Sequence, residues 1–132
     1  MGLIPATTDR VPTQTDESIN QHIREETADS LTYYASNPGE IDDRLRELDA
    51  EWDIERTLEA NASALAFLGV VLGATVDRRF LVLSALVTGF LFQHAVQGWC
   101  PPLPVLRRLG VRTQREISTE RHALVALQDE AN

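Results

Sequence analysis

Ala60–Val76 (ANASALAFLGVVLGATV), the triplet Asp77-Arg78-Arg79 and Phe80–Trp99 (FLVLSALVTGFLFQHAVQGW) follow one another without a gap. The first stretch is seventeen residues long and uncharged; the second is twenty, with His94 as its only titratable side chain. A bilayer core of about 30 Å takes roughly 20 helical residues, within a range of about 17–25. The pattern predicts a transmembrane helical hairpin over 60–99, its first span at the short end and its turn carrying Arg78 and Arg79 at the headgroups. The alternative is a buried hairpin in a soluble bundle, but a chain of 132 residues has little else with which to cover it.

Working outward, the charges are segregated. Residues 1–59 hold fifteen acidic and five basic side chains, a balance of −10 within a net charge of −8. All twelve basic residues are arginine. Nucleic acid is not an expected partner, since neutralising phosphates needs a clustered basic excess. The one basic cluster, Arg107, Arg108, Arg112 and Arg115, follows an apolar helix, so lipid headgroups are its expected anions. The N-terminal residues Met1-Gly2-Leu3-Ile4-Pro5-Ala6 fit neither a signal peptide nor a myristoylation site.

Residues 1–12 read as a flexible arm. A capping-box-like Thr13-Gln14-Thr15-Asp16 opens a helix over about Asp16–Ala35, with Ile19, Ile23, Leu31 and Tyr34 at near-helical spacing. Asn37-Pro38-Gly39 ends it. Ile41, Leu45, Leu48 and Trp52 then form one apolar stripe. The two stripes predict an acidic cytoplasmic helical pair over 13–59. No strong breaker stands between Glu40 and Val76, so the second helix either continues into the first span or bends near Asn61. Beyond the hairpin, Pro101, Pro102 and Pro104 stop the helix, Gly110 suits a C-cap, and Thr113-Gln114-Arg115-Glu116 is a second capping box. Residues 100–132 thus read as an interfacial segment and a short C-terminal amphipathic helix to about Gln128. The predicted fold class is all-α.

Candidate functional residues are few. Gly69 and Gly73 form a GxxxG, and Ala85 and Gly89 a small-xxx-small pair; both are helix-packing motifs, within the hairpin or across a homo-oligomer. Gln93, His94 and Gln97 make the end of the second span polar, which reads as emergence into the headgroups. Trp99 reads as an aromatic-belt anchor, with Arg107 and Arg108 as further interfacial anchors. Cys100, the only cysteine, is the candidate thiol; its position looks accessible and near arginines that favour thiolate. Pairing it with His94 as ligands needs a break at Gly98, and one Cys with one His falls short of a metal site. His22 and His122 lie in charged helical contexts. No catalytic constellation, metal site or cofactor motif is present in the pattern.

The stretch from about Glu55 to Gln128 resembles the YgaP-like inner-membrane domain, a family of unassigned function. The features that carry the likeness are the paired short spans and the Gly98-Trp99-Cys100-Pro101 exit followed by Leu106 and Leu109-Gly110. Arg108-Leu109-Gly110-Val111-Arg112-Thr113 and Trp52-Asp53-Ile54-Glu55-Arg56 are similar to a longer-tailed branch of it. The resemblance implies a membrane hairpin with cytoplasmic termini and no catalytic residue. Some members carry a rhodanese domain; with Cys100 as its sole cysteine, this chain has no such nucleophile loop.

Arginine counts give the same orientation. Arg44, Arg46, Arg56, Arg107, Arg108, Arg112 and Arg115 flank the hairpin, against Arg78 and Arg79 in its turn, which places both termini in the cytoplasm of a multi-pass inner-membrane protein. The expected role is a non-enzymatic anchor or docking module whose partners are the lipid bilayer, a second copy of the chain, and a cytoplasmic protein bound through residues 13–59. The alternative role is a thiol-dependent membrane component in which Cys100 handles sulfur species or a metal. A conducting oligomer would need more polar residues in the spans than Thr75, Ser84 and Thr88.

Overall fold

A computed structural model describes residues 5–131. Among these the chain is all-helical, as its periodicities predict: α1 (Arg10–Thr13), α2 (Glu17–Ser36), α3 (Ile41–Ala50), α4 (Ile54–Thr75), α5 (Leu81–Gln97), α6 (Leu103–Arg108) and α7 (Gln114–Ala131), with single 3-10 turns at Pro38–Glu40 and Arg78–Phe80. The helix ending at Thr75 and that over Arg78–Gln97 are long and apolar enough to cross a membrane. They pack against each other as an antiparallel hairpin.

Small residues set the contact. A Cβ on Gly69 would stand 2.4 Å from Ser84 Oγ, and one on Gly73 would stand 2.6 Å from Leu81. Ser84 Oγ donates to the Ala66 carbonyl at 2.8 Å, tying the helices where the backbones are closest. Ala85 and Gly89 do not take part: Ala85 is exposed, and a Cβ on Gly89 would meet nothing within 4 Å. The face of α5 turned to α4 carries Ser84, Val87, Leu91 and His94, so residues one step along, 85 and 89, point away. In the turn, the Asp77 carboxylate accepts from the Arg79 N–H at 2.9 Å.

The first span is longer than the charge pattern alone predicts. α4 starts at Ile54, runs 22 residues and reaches about 33 Å at 1.5 Å per residue. It neither continues α3 nor bends at Asn61, whose side chain merely donates to the Thr57 carbonyl within the helix. The break falls at Glu51–Asp53 and is held from outside: the Ile54 N–H donates to the Arg112 carbonyl at 2.7 Å, and Glu51 is paired with Arg112. Trp52, expected on the α3 stripe, lies in this break and is exposed, with Arg56 4.5 Å above its ring.

The acidic helices do not form a pair on their own. α7 packs on both α2 and α3, and the core they share contains Ile41, Leu48, Ile117 and Leu124, with Leu31, Tyr34, Leu45 and Leu127 against it. α7 is opened by a reciprocal capping box: the Thr113 N–H donates to Glu116 Oε1 at 2.8 Å and the Glu116 N–H to Thr113 Oγ1 at 3.2 Å. A second core at the foot of the hairpin joins Val11, Ile54, Leu58, Cys100 and Leu103. Residues 5–12 of the arm are therefore docked, with Val11 buried; residues 1–4, including the N-terminal motif positions, lie outside the described residues. Gly98 ends α5 with φ +86°, and a Cβ there would stand 2.2 Å from the Arg10 carbonyl oxygen, so both the turn and the docked arm require glycine.

Candidate functional site

Two polar clusters flank the core at the foot of the hairpin. The first is centred on Arg107, which is 1% exposed. Its guanidinium donates five hydrogen bonds: Nε to Thr15 Oγ1 (3.2 Å), Nη1 to the Val111 carbonyl (3.1 Å) and Glu116 Oε1 (2.6 Å), and Nη2 to Asn20 Oδ1 (2.9 Å) and Glu116 Oε2 (3.0 Å). Every donor of the side chain is used. Arg107, read from sequence as an interfacial anchor, is instead a buried cross-link between α2, α6 and α7. The short α6 aims it inward, because Leu103 and Arg107 share a face one turn apart and both are buried. Arg108 points outward and is exposed. Trp99 is half-buried against the core at the hairpin foot.

Glu120, beside this cluster, accepts from Arg44 Nε (2.7 Å), Arg112 Nη1 (2.7 Å) and Ser30 (3.2 Å). Burial pushes its carboxyl up, but the hydrogen bonds from Arg44 and Arg112 outweigh that and hold it below the ordinary carboxylate range. Glu116 behaves alike: burial raises it, while Arg107 and the Thr113 N–H lower it further.

The second cluster lies between the feet of α4 and α5. His94 does not emerge into solvent; it is 2% exposed. Its Nε2 lies 2.9 and 3.1 Å from the two Glu55 oxygens. Arg10 Nη2 meets Glu55 Oε2 at 3.0 Å, and Arg10 Nη1 donates to the Ala95 carbonyl at 2.9 Å. His94 Nδ1 is buried and, among the described residues, has no hydrogen-bond partner; the same holds for Arg10 Nε. The helix break at Gly98 turns the chain back so that Cys100 packs with Val11, Ile54, Leu58 and Leu103. Cys100 is 4% exposed and lies within the core at the foot, in contrast to the accessible position that the sequence predicts. Gln93 and Gln97 bond each other on the exposed side.

Sequence reasoning singled out His94 and Cys100 and missed their partners. Arg10 falls in the stretch read as a flexible arm, and Glu55 in the acidic helical pair over 13–59. A signal for Glu55 was present in the hairpin register. Gly73 faces Leu81 and Ala66 faces Ser84; three further turns bring Glu55 opposite His94, the one titratable side chain of the second span. Among the described residues no group of three His, Cys, Asp or Glu side chains is placed to hold a metal ion.

No protein-family model, curated protein or solved structure matches this chain.

Proposed function

We propose that the chain is a small integral membrane protein in which the hairpin anchors an acidic helical bundle at the inner membrane, as a non-enzymatic docking module. The observation that carries this reading is the outer surface of the hairpin. Only 17% and 6% of the apolar windows of its two helices are buried within the chain. Phe67 and Phe92 are each 72% exposed, and Leu65, Val70, Val82 and Leu86 are exposed beside them. Burying a side chain of this size away from water is worth about 1.5–3 kcal/mol, and a lipid environment supplies that burial on every side of the pair. Val105 and Leu109, exposed next to Arg108 on α6, extend the surface toward the headgroups.

The same reading puts both termini in the cytoplasm, on the arginine asymmetry, and the YgaP-like resemblance supports it. Of the flanking arginines, Arg44, Arg107 and Arg112 are tied to Glu120, Glu116 or Glu51, Arg46 and Arg115 pair with Asp43 and Asp9 at the surface, and Arg56 and Arg108 have no carboxylate partner among the described residues. Docking falls to the acidic outer faces of α2 and α3, where Glu25, Glu26, Asp29 and Asp42 are exposed; they suit a basic partner segment. A thiol-dependent role for Cys100 is the second reading, favoured by its place in the lining of an apolar cavity between α4 and α5.

The anchor reading is tested by mixing the chain with phospholipid vesicles on a density gradient. It is expected to float with the vesicles and to need detergent for release; recovery of folded, monomeric chain in buffer alone overturns it. Orientation is read in intact cells on a Cys100→Ser background. An Arg79→Cys reporter is expected to react with an impermeant thiol reagent and a Glu130→Cys reporter to stay protected; the opposite pattern inverts the topology.

A further inference from the structure

Toward the foot of the hairpin an apolar cavity of about 210 Å³ lies between α4 and α5. The helices are in close contact nearer the turn, where Gly69 and Gly73 admit Ser84 and Leu81. At the foot, Leu58 and Leu65 of α4 and Phe90 of α5 stand around a gap that Pro101 and Pro102 wall from the side. That wall is apolar although it is irregular chain. The proline rings carry no N–H, and the Cys100 and Pro102 carbonyls accept from the Leu103 and Leu106 N–H groups. Among the residues lining the cavity, Asn61 is the one amide, and its nitrogen already donates to the Thr57 carbonyl. A water in such a space needs about two to four polar partners, so the cavity excludes water and suits hydrocarbon. Leu65 and Phe90 are exposed, so the cavity opens onto the outer face of the hairpin. Beyond Pro102 the outward side of α6 carries Val105, Arg108 and Leu109, all exposed. Arg108 has no carboxylate partner among the described residues. Asp16, whose carboxylate feels its charge, accepts instead from the Ser18 N–H and hydroxyl.

We propose that this foot is a binding site for one membrane phospholipid, with an acyl chain in the cavity between α4 and α5 and the phosphate on Arg108. The identity of the occupant rests on the anchor reading: with the hairpin in a bilayer, what meets the mouth between Leu65 and Phe90 is lipid hydrocarbon. The depth agrees. Leu58 and Leu65 stand about 6 and 17 Å along α4 from Ile54, at 1.5 Å per residue. With Ile54 at the headgroups, the slot lies where the upper part of an acyl chain runs. The size fits part of one chain. An apolar cavity of about 150 Å³ takes a benzene ring, so this one takes a segment of a single tail and leaves the second on the outer face. The phosphate of the same lipid belongs at the level of α6. Arg108 is about 9 Å along that helix from Pro102, and its long stem extends the reach of the charge. Its fork of N–H donors matches phosphate oxygens. A chain in the slot touches protein on several sides, whereas a lipid on the outer face touches it on one, so dispersion favours the slot.

The purified full chain in a neutral detergent is titrated with dioleoyl phosphatidylglycerol and followed by native mass spectrometry. One lipid per chain is expected, with a saturable occupancy. Leu65→Trp puts an indole in the mouth and is expected to weaken binding at least roughly fivefold. Residue 65 is exposed, so the helical signal of this variant should match the wild type. Arg108→Gln is expected to weaken binding about fivefold, the contribution of one arginine at an anionic headgroup. It should leave binding of dioleoylglycerol, which has the same tails and no phosphate, unchanged. Val82→Trp, on the exposed face away from the cavity, is expected to change nothing. A chain that floats with vesicles but shows no discrete lipid adduct overturns this proposal and leaves the anchor reading standing; failure to float removes both. Equal effects of Leu65→Trp and Val82→Trp also overturn it, because lipid then coats the hairpin without a site. So does a lipid-free dimer, in which a second copy fills the slot. A loss in Leu65→Trp with none in Arg108→Gln overturns the placing of the phosphate.

Discussion

Arg107 carries more hydrogen bonds than any other side chain described above, and its burial makes each of them consequential. A charge taken out of water is tolerated only when its partners are complete, and removing one member of such a pair typically costs about 3–5 kcal/mol. Arg107→Ala would leave the Asn20 amide oxygen without its Arg107 donor and the Glu116 carboxylate with only the Thr113 N–H. It is expected to lose about 3–5 kcal/mol in denaturant titrations in mild detergent. Arg107→Lys is expected to restore only a part, since an ammonium has three donors and no planar fork to meet both Glu116 oxygens. Little of this was legible in the sequence. Arg107 and Arg108 are adjacent and chemically identical, and which of them turns inward is set by the phase of a six-residue helix. That phase depends on where Gly98 and the prolines break the chain, which no periodicity in so short a segment reveals.

Among the helices, the hairpin was the most legible part and the start of α4 the least. Its turn and the use of Gly69 and Gly73 follow from local pattern. The break at Glu51–Asp53 follows from a distant arginine, whose carbonyl and guanidinium both reach across from the loop before α7. A sequence window around Trp52 contains no trace of Arg112. The two small-residue motifs, alike in sequence, differ in what surrounds them, and that difference is testable. Gly69→Leu would drive a side chain into Ser84 and the Phe80 carbonyl, and is expected to destabilise the hairpin by about 2–3 kcal/mol, the upper part of the usual range of overpacking. Gly89→Leu meets open space and is expected to change stability by less than about 0.5 kcal/mol. Thermal unfolding of the two variants in the same detergent distinguishes them. A matched loss in both would mean that α5 presents its other face to α4.

For the molecule as a whole, the link between bundle and hairpin is electrostatic as much as apolar. Glu116 and Glu120 hold arginines from α3, α6 and the loop before α7, and both carboxyls sit below their ordinary value of 4.5 in the folded chain. A lowered folded value means that the unfolded chain binds protons more readily. The stability these groups contribute is therefore complete above about 4.5 and is lost as pH falls through the lower folded value. Helical signal and melting temperature are expected to hold from neutrality to about pH 5 and to drop below about pH 4.5. In Glu120→Gln the neutral-pH melting temperature should be lower and the acid drop shallower. The order of the elements along the chain has a consequence for how the protein is made. α2 and α3 are synthesised before the hairpin, but α7, which completes their core, comes after it. At about 5–20 residues per second, the ribosome needs several seconds to pass from the end of α3 to α7. Throughout that interval the Ile41 and Leu48 face is uncovered. In the anchor reading proposed above, insertion therefore precedes closure of the bundle, and a chain stalled before Gln114 leaves a half-built domain for quality control to find.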